Sequence, residues 1–132
     1  LEHKAAGAIR GNISNASNLS QNILLKAYQS DTYDQETKQN FDILKERYEQ
    51  VKHVLKEHKE FEQQFTTLPF NAGYFMCITL KNHDAETIRQ KLLKEYDMGI
   101  IALGDKIRIA FSAIPKNKIE QAFINIYEAC SQ

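Results

Sequence analysis

Between Gln35 and Glu60, the apolar residues Phe41, Leu44, Tyr48, Val51 and Leu55 recur at spacings of three and four among charged neighbours. That period belongs to a helix with one buried stripe, and no other stretch restricts the fold as strongly. A helix over 35–60 makes about seven turns. In a chain of 132 residues, so long an element projects from one body or joins two. The clean spacing lasts about two heptads, which is short for a coiled-coil seam.

Around this helix the predicted elements are brief. Residues 1–16 are rich in Gly, Ala, Asn and Ser and show no clear periodicity. Ser17 or Asn18 is suited to cap a helix over about 19–29, with Gln21 in the reciprocal-capping position and Leu19, Ile23, Leu24 and Ala27 as the buried face. The run Ser-Asp-Thr-Tyr-Asp breaks it. After the long helix, Pro69 and Phe-Asn-Ala-Gly form a turn before a strand, Tyr-Phe-Met-Cys-Ile-Thr-Leu. Asp84 then caps a helix to about Tyr96 whose buried face is Ile88, Leu92, Leu93 and Tyr96. The segment Gly-Ile-Ile-Ala-Leu reads as a short buried strand, and Gly104-Asp105 turns into the next. Pro115 opens a last helix at a position where proline is tolerated. That helix buries Ile119, Ala122, Phe123, Ile126 and Cys130. The predicted fold class is α/β, a small sheet covered by helices.

Several function classes are disfavoured by composition. Apolar residues at 42% and charged residues at 26% describe a globular chain. Lys plus Arg equals Asp plus Glu at 17 each, which lends no support to a nucleic-acid or membrane surface. The run Tyr-Phe-Met-Cys-Ile is far too short to span a bilayer. The opening residues lack a signal-peptide pattern, so a cytoplasmic protein is expected, and the N-x-S triplets at Asn12, Asn15 and Asn18 read as a polar turn region. Cys77 and Cys130 suggest neither a disulfide framework nor a metal clip. His53 and His58 are five apart, off the i, i+4 spacing of zinc ligands on one helical face, and are expected to be solvated on the long helix. No phosphate-cradling glycine motif and no nucleophile constellation is present. Neither catalytic nor metal-binding residues are expected in this chain.

One strand poses a question. In Gly-Asp-Lys-Ile-Arg-Ile-Ala-Phe-Ser-Ala-Ile-Pro, residues 104–115, Ile107, Ile109 and Phe111 alternate with Lys106, Arg108, Ala110 and Ser112. Arg108 therefore lies on the second face of a strand whose first face is apolar. A buried cation is costly unless an anion meets it. The residues alone leave two answers open: a solvated edge or internal salt bridge, or a site for an anionic ligand.

Two blocks of sequence bear on it. Ala-Ile-Arg-Gly-Asn-Ile-Ser-Asn-Ala-Ser-Asn-Leu-Ser, within residues 8–28, resembles the segment following the lysine-bearing region of class I pyridoxal-phosphate aminotransferases of the aspartate aminotransferase type. Residues 69–115 resemble the small domain of the same enzymes: a Gly-aromatic strand, a helix, a short strand, then a strand with arginine followed by small residues. The long helix matches their interdomain helix, and the likeness covers 8–129. It implies residues 1–34 from the large domain and dimer interface with a short helix, then 35–132 as connecting helix and C-terminal small α/β domain.

By this resemblance Arg108 clamps the α-carboxylate of the substrate, a task suited to a planar guanidinium. Arg10 would reach across a homodimer interface to the side-chain carboxylate, favouring aspartate or glutamate and their 2-oxo acids as substrates. Ser-Asn-Ala-Ser stands where the family usually has Ser-Asn-Pro-Pro, which leaves that loop's register open. The cofactor-anchoring lysine, the aspartate facing the pyridine nitrogen and the phosphate-holding groups would all lie upstream. The chain is thus expected to work only within a longer enzyme and to be inactive alone, without proper pyridoxal phosphate binding. The alternatives are an aromatic or neutral amino-acid aminotransferase of the same fold, or a non-catalytic small-molecule-binding or interaction domain.

Overall fold

A computed structural model describes residues 1–13 and 17–131. The chain divides into two compact units, Leu1–Gln39 and Asn40–Gln132. In the first unit, α1 (Glu2–Asn12) and α2 (Asn18–Tyr28) precede the start of α3 (Tyr33–Glu57). Helix α1 falls where no periodicity was expected. Its alanines favour helix, and Glu2 in the first turn and Arg10 in the last complement the helix dipole, so it forms without an apolar stripe. Ser17 is the cap of α2, its hydroxyl accepting from the Ser20 amide at 3.4 Å. The expected buried face of α2 is not buried: Leu19, Ile23 and Leu24 are all exposed, and no residue of the helix is buried. Periodicity identifies the face that favours burial, not whether anything covers it. Ser14, Asn15 and Ala16, which include most of the Ser-Asn-Ala-Ser stretch, lie outside the described residues.

The second unit carries the core. The latter part of α3 leads through a 3₁₀ turn (Lys59–Gln63) to β1 (Phe65–Thr67) and β2 (Met76–Leu80). Then come α4 (Ala85–Glu95), β3 (Ile101–Leu103), β4 (Lys106–Ile109), two further 3₁₀ turns (Phe111–Ala113 and Lys116–Lys118) and α5 (Ile119–Ser131). The strands form one antiparallel sheet in the order β1-β2-β4-β3. Strand β1 was not foreseen, since three residues are too few for alternation to register. On the long helix, Val51 is buried and Tyr48 and Leu55 pack against the core, whereas Phe41 is exposed and Val54, off the predicted stripe, is buried.

One face of the sheet meets the helices. Met76, Ile78 and Leu80 from β2 and Ile107 and Ile109 from β4 pack with Ile88 and Leu92 of α4 and Ile119, Phe123 and Ile126 of α5. Every residue predicted as the buried face of the last helix is buried. Asp84 caps α4 as expected, its carboxylate accepting from the Thr87 amide at 2.8 Å. Strand β3 differs from expectation. It is an edge strand, with Ile101 and Leu103 exposed and only Ala102 half-buried between them, because β4 is its sole neighbour in the sheet order.

Candidate functional site

Register determines what surrounds Arg108. Cys77 of β2 and Ile101 of β3 stand directly across from it on either side. Side chains alternate along a strand, so Thr66, Cys77, Thr79, Ile101, Leu103, Lys106 and Arg108 share the face turned away from the helices. None of these residues is fully buried. Among the described residues of this unit the helices pack against one side of the sheet only, and Arg108 at its centre is half-buried.

Phe75, just before β2, gives the guanidinium a floor. The Arg108 Cζ lies 4.6 Å from the Phe75 ring centroid, a stacking distance for a cation over an aromatic face. Among the described residues no carboxylate forms an ion pair with Arg108, while neighbouring Lys106 is paired with Asp105 at 2.5 Å. A guanidinium stacked on one face and unpaired at its edge can accept a carboxylate through two parallel hydrogen bonds. Beside it, Leu68, Pro69, Phe70 and Asn71 join Phe75 and Cys77 in lining a shallow depression. The amide of Ser112, just beyond β4, donates to the Tyr74 carbonyl at 3.3 Å and holds the Phe75 segment to the strand that carries Arg108. Phe75 was not singled out from sequence. The signal was its place two residues before Cys77, but that pointed to Arg108 only once the β2–β4 register was known.

Arg10 lies in the last turn of α1, in the first unit, and is exposed. His58 departs from its expected place on the long helix. It follows the end of α3, with Nδ1 2.7 Å from Glu60 and Nε2 2.9 Å from Glu120, and its ring stacks on Phe61 at 4.8 Å. The hydrogen bonds to Glu120 and then Glu60 raise its pKa, and the one to His58 lowers that of Glu60. Among the described residues, no group of three or more His, Cys, Asp or Glu side chains could hold a metal ion, and no helix is long and apolar enough to cross a membrane.

With this geometry in place, comparison with known proteins gives the family. Residues 1–126 match the family model for aminotransferase class I and II, and the chain belongs to that family. Among solved structures it is similar to an aminotransferase from Anaerococcus prevotii, with 27% identity over 99% of this chain and 31% of that one, at a TM-score of 0.79. Two more distant likenesses show the fold. One is to an α-aminoadipate aminotransferase from Thermus thermophilus, complexed with N-(5'-phosphopyridoxyl)-L-leucine, at 14% identity over 95% of this chain and 34% of that one, with a TM-score of 0.75. The other is to an aromatic aminotransferase from Pyrococcus horikoshii, at 15% identity over 92% of this chain and 34% of that one, with a TM-score of 0.65. No curated protein sequence matches. The chain spans about a third of the length of these solved relatives.

The family implies pyridoxal phosphate in the full-length enzyme. Among the described residues no lysine is buried, and no charged or polar side chain lies in the core.

Proposed function

We propose that this chain is the substrate-clamping part of a pyridoxal-phosphate-dependent aminotransferase that moves amino groups between an acidic amino acid, aspartate or glutamate, and a 2-oxo acid. The observation that carries the assignment is Arg108: central on the face of the sheet turned away from the helices, backed by Phe75, and with no carboxylate partner among the described residues. Arg108 would bind the α-carboxylate shared by every amino-acid substrate. Held on a paired strand, it would present the amino group in one orientation. Arg10 would supply the second cation, for the side-chain carboxylate, in a homodimer. A cation left unpaired by a neutral side chain is penalised, and this is how such a site would discriminate. The cofactor, held by residues outside this chain, supplies the electron sink for the transfer. We take the working enzyme to be cytoplasmic, with amino acids and 2-oxo acids as its small-molecule partners. The chain alone is proposed to be inactive.

The test uses the full-length enzyme with L-aspartate and with L-phenylalanine as amino donors. Arg108→Gln is expected to lower kcat/KM for both by about a hundredfold, since it removes a charge-assisted bidentate contact common to them. Arg10→Gln is expected to lower the value for aspartate by about tenfold or more and to spare phenylalanine. Equal losses on both donors from Arg10→Gln would remove the acidic-substrate assignment. No loss from Arg108→Gln would remove the clamp.

A further inference from the structure

We propose that Arg47 on α3 is a positioning residue for the Arg108 clamp, an inference that rests on the clamp assigned above. The Arg47 guanidinium donates from Nη1 to the main-chain carbonyl of Ser112, across 65 residues of sequence. Ser112 belongs to the 3₁₀ turn that ends β4, four residues beyond Arg108. Within that turn the Ala110 and Phe111 carbonyls already accept from the amides of Ala113 and Ile114, at 2.9 and 3.2 Å. No described backbone amide donates to the Ser112 carbonyl, so Arg47 supplies its partner.

Ser112 ties several elements together. Its amide donates to the Tyr74 carbonyl at 3.3 Å, and the next residue is Phe75, the floor under Arg108. One arginine on α3 therefore holds both the end of the strand that carries the cation and, through Ser112, the segment that carries its aromatic backing. Phe111, fully buried, pins the same turn from the core side. A bidentate clamp tolerates little misplacement, so loosening this turn should weaken substrate capture without touching the reacting atoms. The neighbouring Glu46–Lys116 pair, 3.4 Å apart between exposed side chains, provides a control on the same helix.

The experiment is steady-state kinetics on the full-length enzyme with L-aspartate, or L-phenylalanine if that is the donor turned over, alongside thermal melting. Arg47→Met should raise KM for the amino acid about tenfold while kcat stays within about twofold, the pattern of a lost ground-state contact. Arg47→Lys, which keeps a donor of similar reach, should restore KM to within about threefold of wild type. Glu46→Gln should change neither constant. In an Arg108→Gln background Arg47→Met should add less than about twofold, because both act through one contact. A fall in melting temperature with KM unmoved would overturn the inference, as would a full Arg47 effect persisting in the Arg108→Gln background. If Arg47→Met does not fold, Arg47→Gln, too short to reach Ser112, is held to the same expectation and the same reversal. If Arg108→Gln alone leaves kcat/KM unmoved, the clamp itself has failed, a result distinct from a failure of Arg47 alone.

Discussion

At the scale of single residues, charge placement separates His58 from the other three histidines. Glu120 and Glu60 accept at its two ring nitrogens, and Phe61 lies against its ring. Its folded pKa is raised above 6.5, so the protonated form is favoured in the native state. The stabilisation is complete below 6.5 and is lost as pH rises through the raised value. Glu60 shifts the other way, below 4.5, so its share is present above 4.5 and lost as pH falls through the lowered value. The cluster should therefore stabilise most between these two limits. Denaturant midpoints measured from pH 4 to 9 should fall on the alkaline side in the wild type, and His58→Gln should flatten that limb. An unchanged alkaline limb would remove the cluster from the ledger of stabilising contacts. The Arg108 position was legible from strand alternation, whereas the roles of His58 and Phe75 were not. Each depends on partners brought close from elsewhere in the chain, such as Glu120, 62 residues away.

At the scale of elements, the hairpin joining β3 to β4 turns on Gly104 and Asp105. Gly104 has φ of +62°, a conformation in which a Cβ is strained even though open space surrounds it. Gly104→Ala should therefore destabilise by about 1 kcal/mol, seen as a lower urea midpoint with an unchanged m-value. An unchanged midpoint would mean the turn relaxes into another type. Local signals of this kind were readable directly: the Gly-Asp turn, the Asp84 cap, the proline before the last helix and the buried face of α5. Elements whose character depends on neighbours were misread. Strand β3 has an apolar sequence yet is an exposed edge, and α2 has an apolar face that no described residue of its unit buries.

At the scale of the whole molecule, the one-sided cover of the sheet divides the two cysteines. Cys130 lies in the core on α5, where burial pushes its thiol up to about 11. Cys77 lies half-exposed on the open face beside Arg108. A thiol reagent at pH 8 should therefore titrate one cysteine in the native protein and the second only on unfolding, since reactivity needs both access and thiolate. Two native thiols reacting at equal rates would contradict the packing of α5. Read alone, the sequence determined which residues are apolar and at what period, and hence most helices, the two longer strands and the face of β4 that carries Arg108. Tertiary structure alone decided which faces are covered, which strand is the edge, that Phe75 stacks on that arginine, and that Arg47 bonds the Ser112 carbonyl beyond the end of the same strand. The physical reason is that periodicity is a local property of the chain, whereas cover, edge and contact arise from strand order and register, which join residues far apart in sequence.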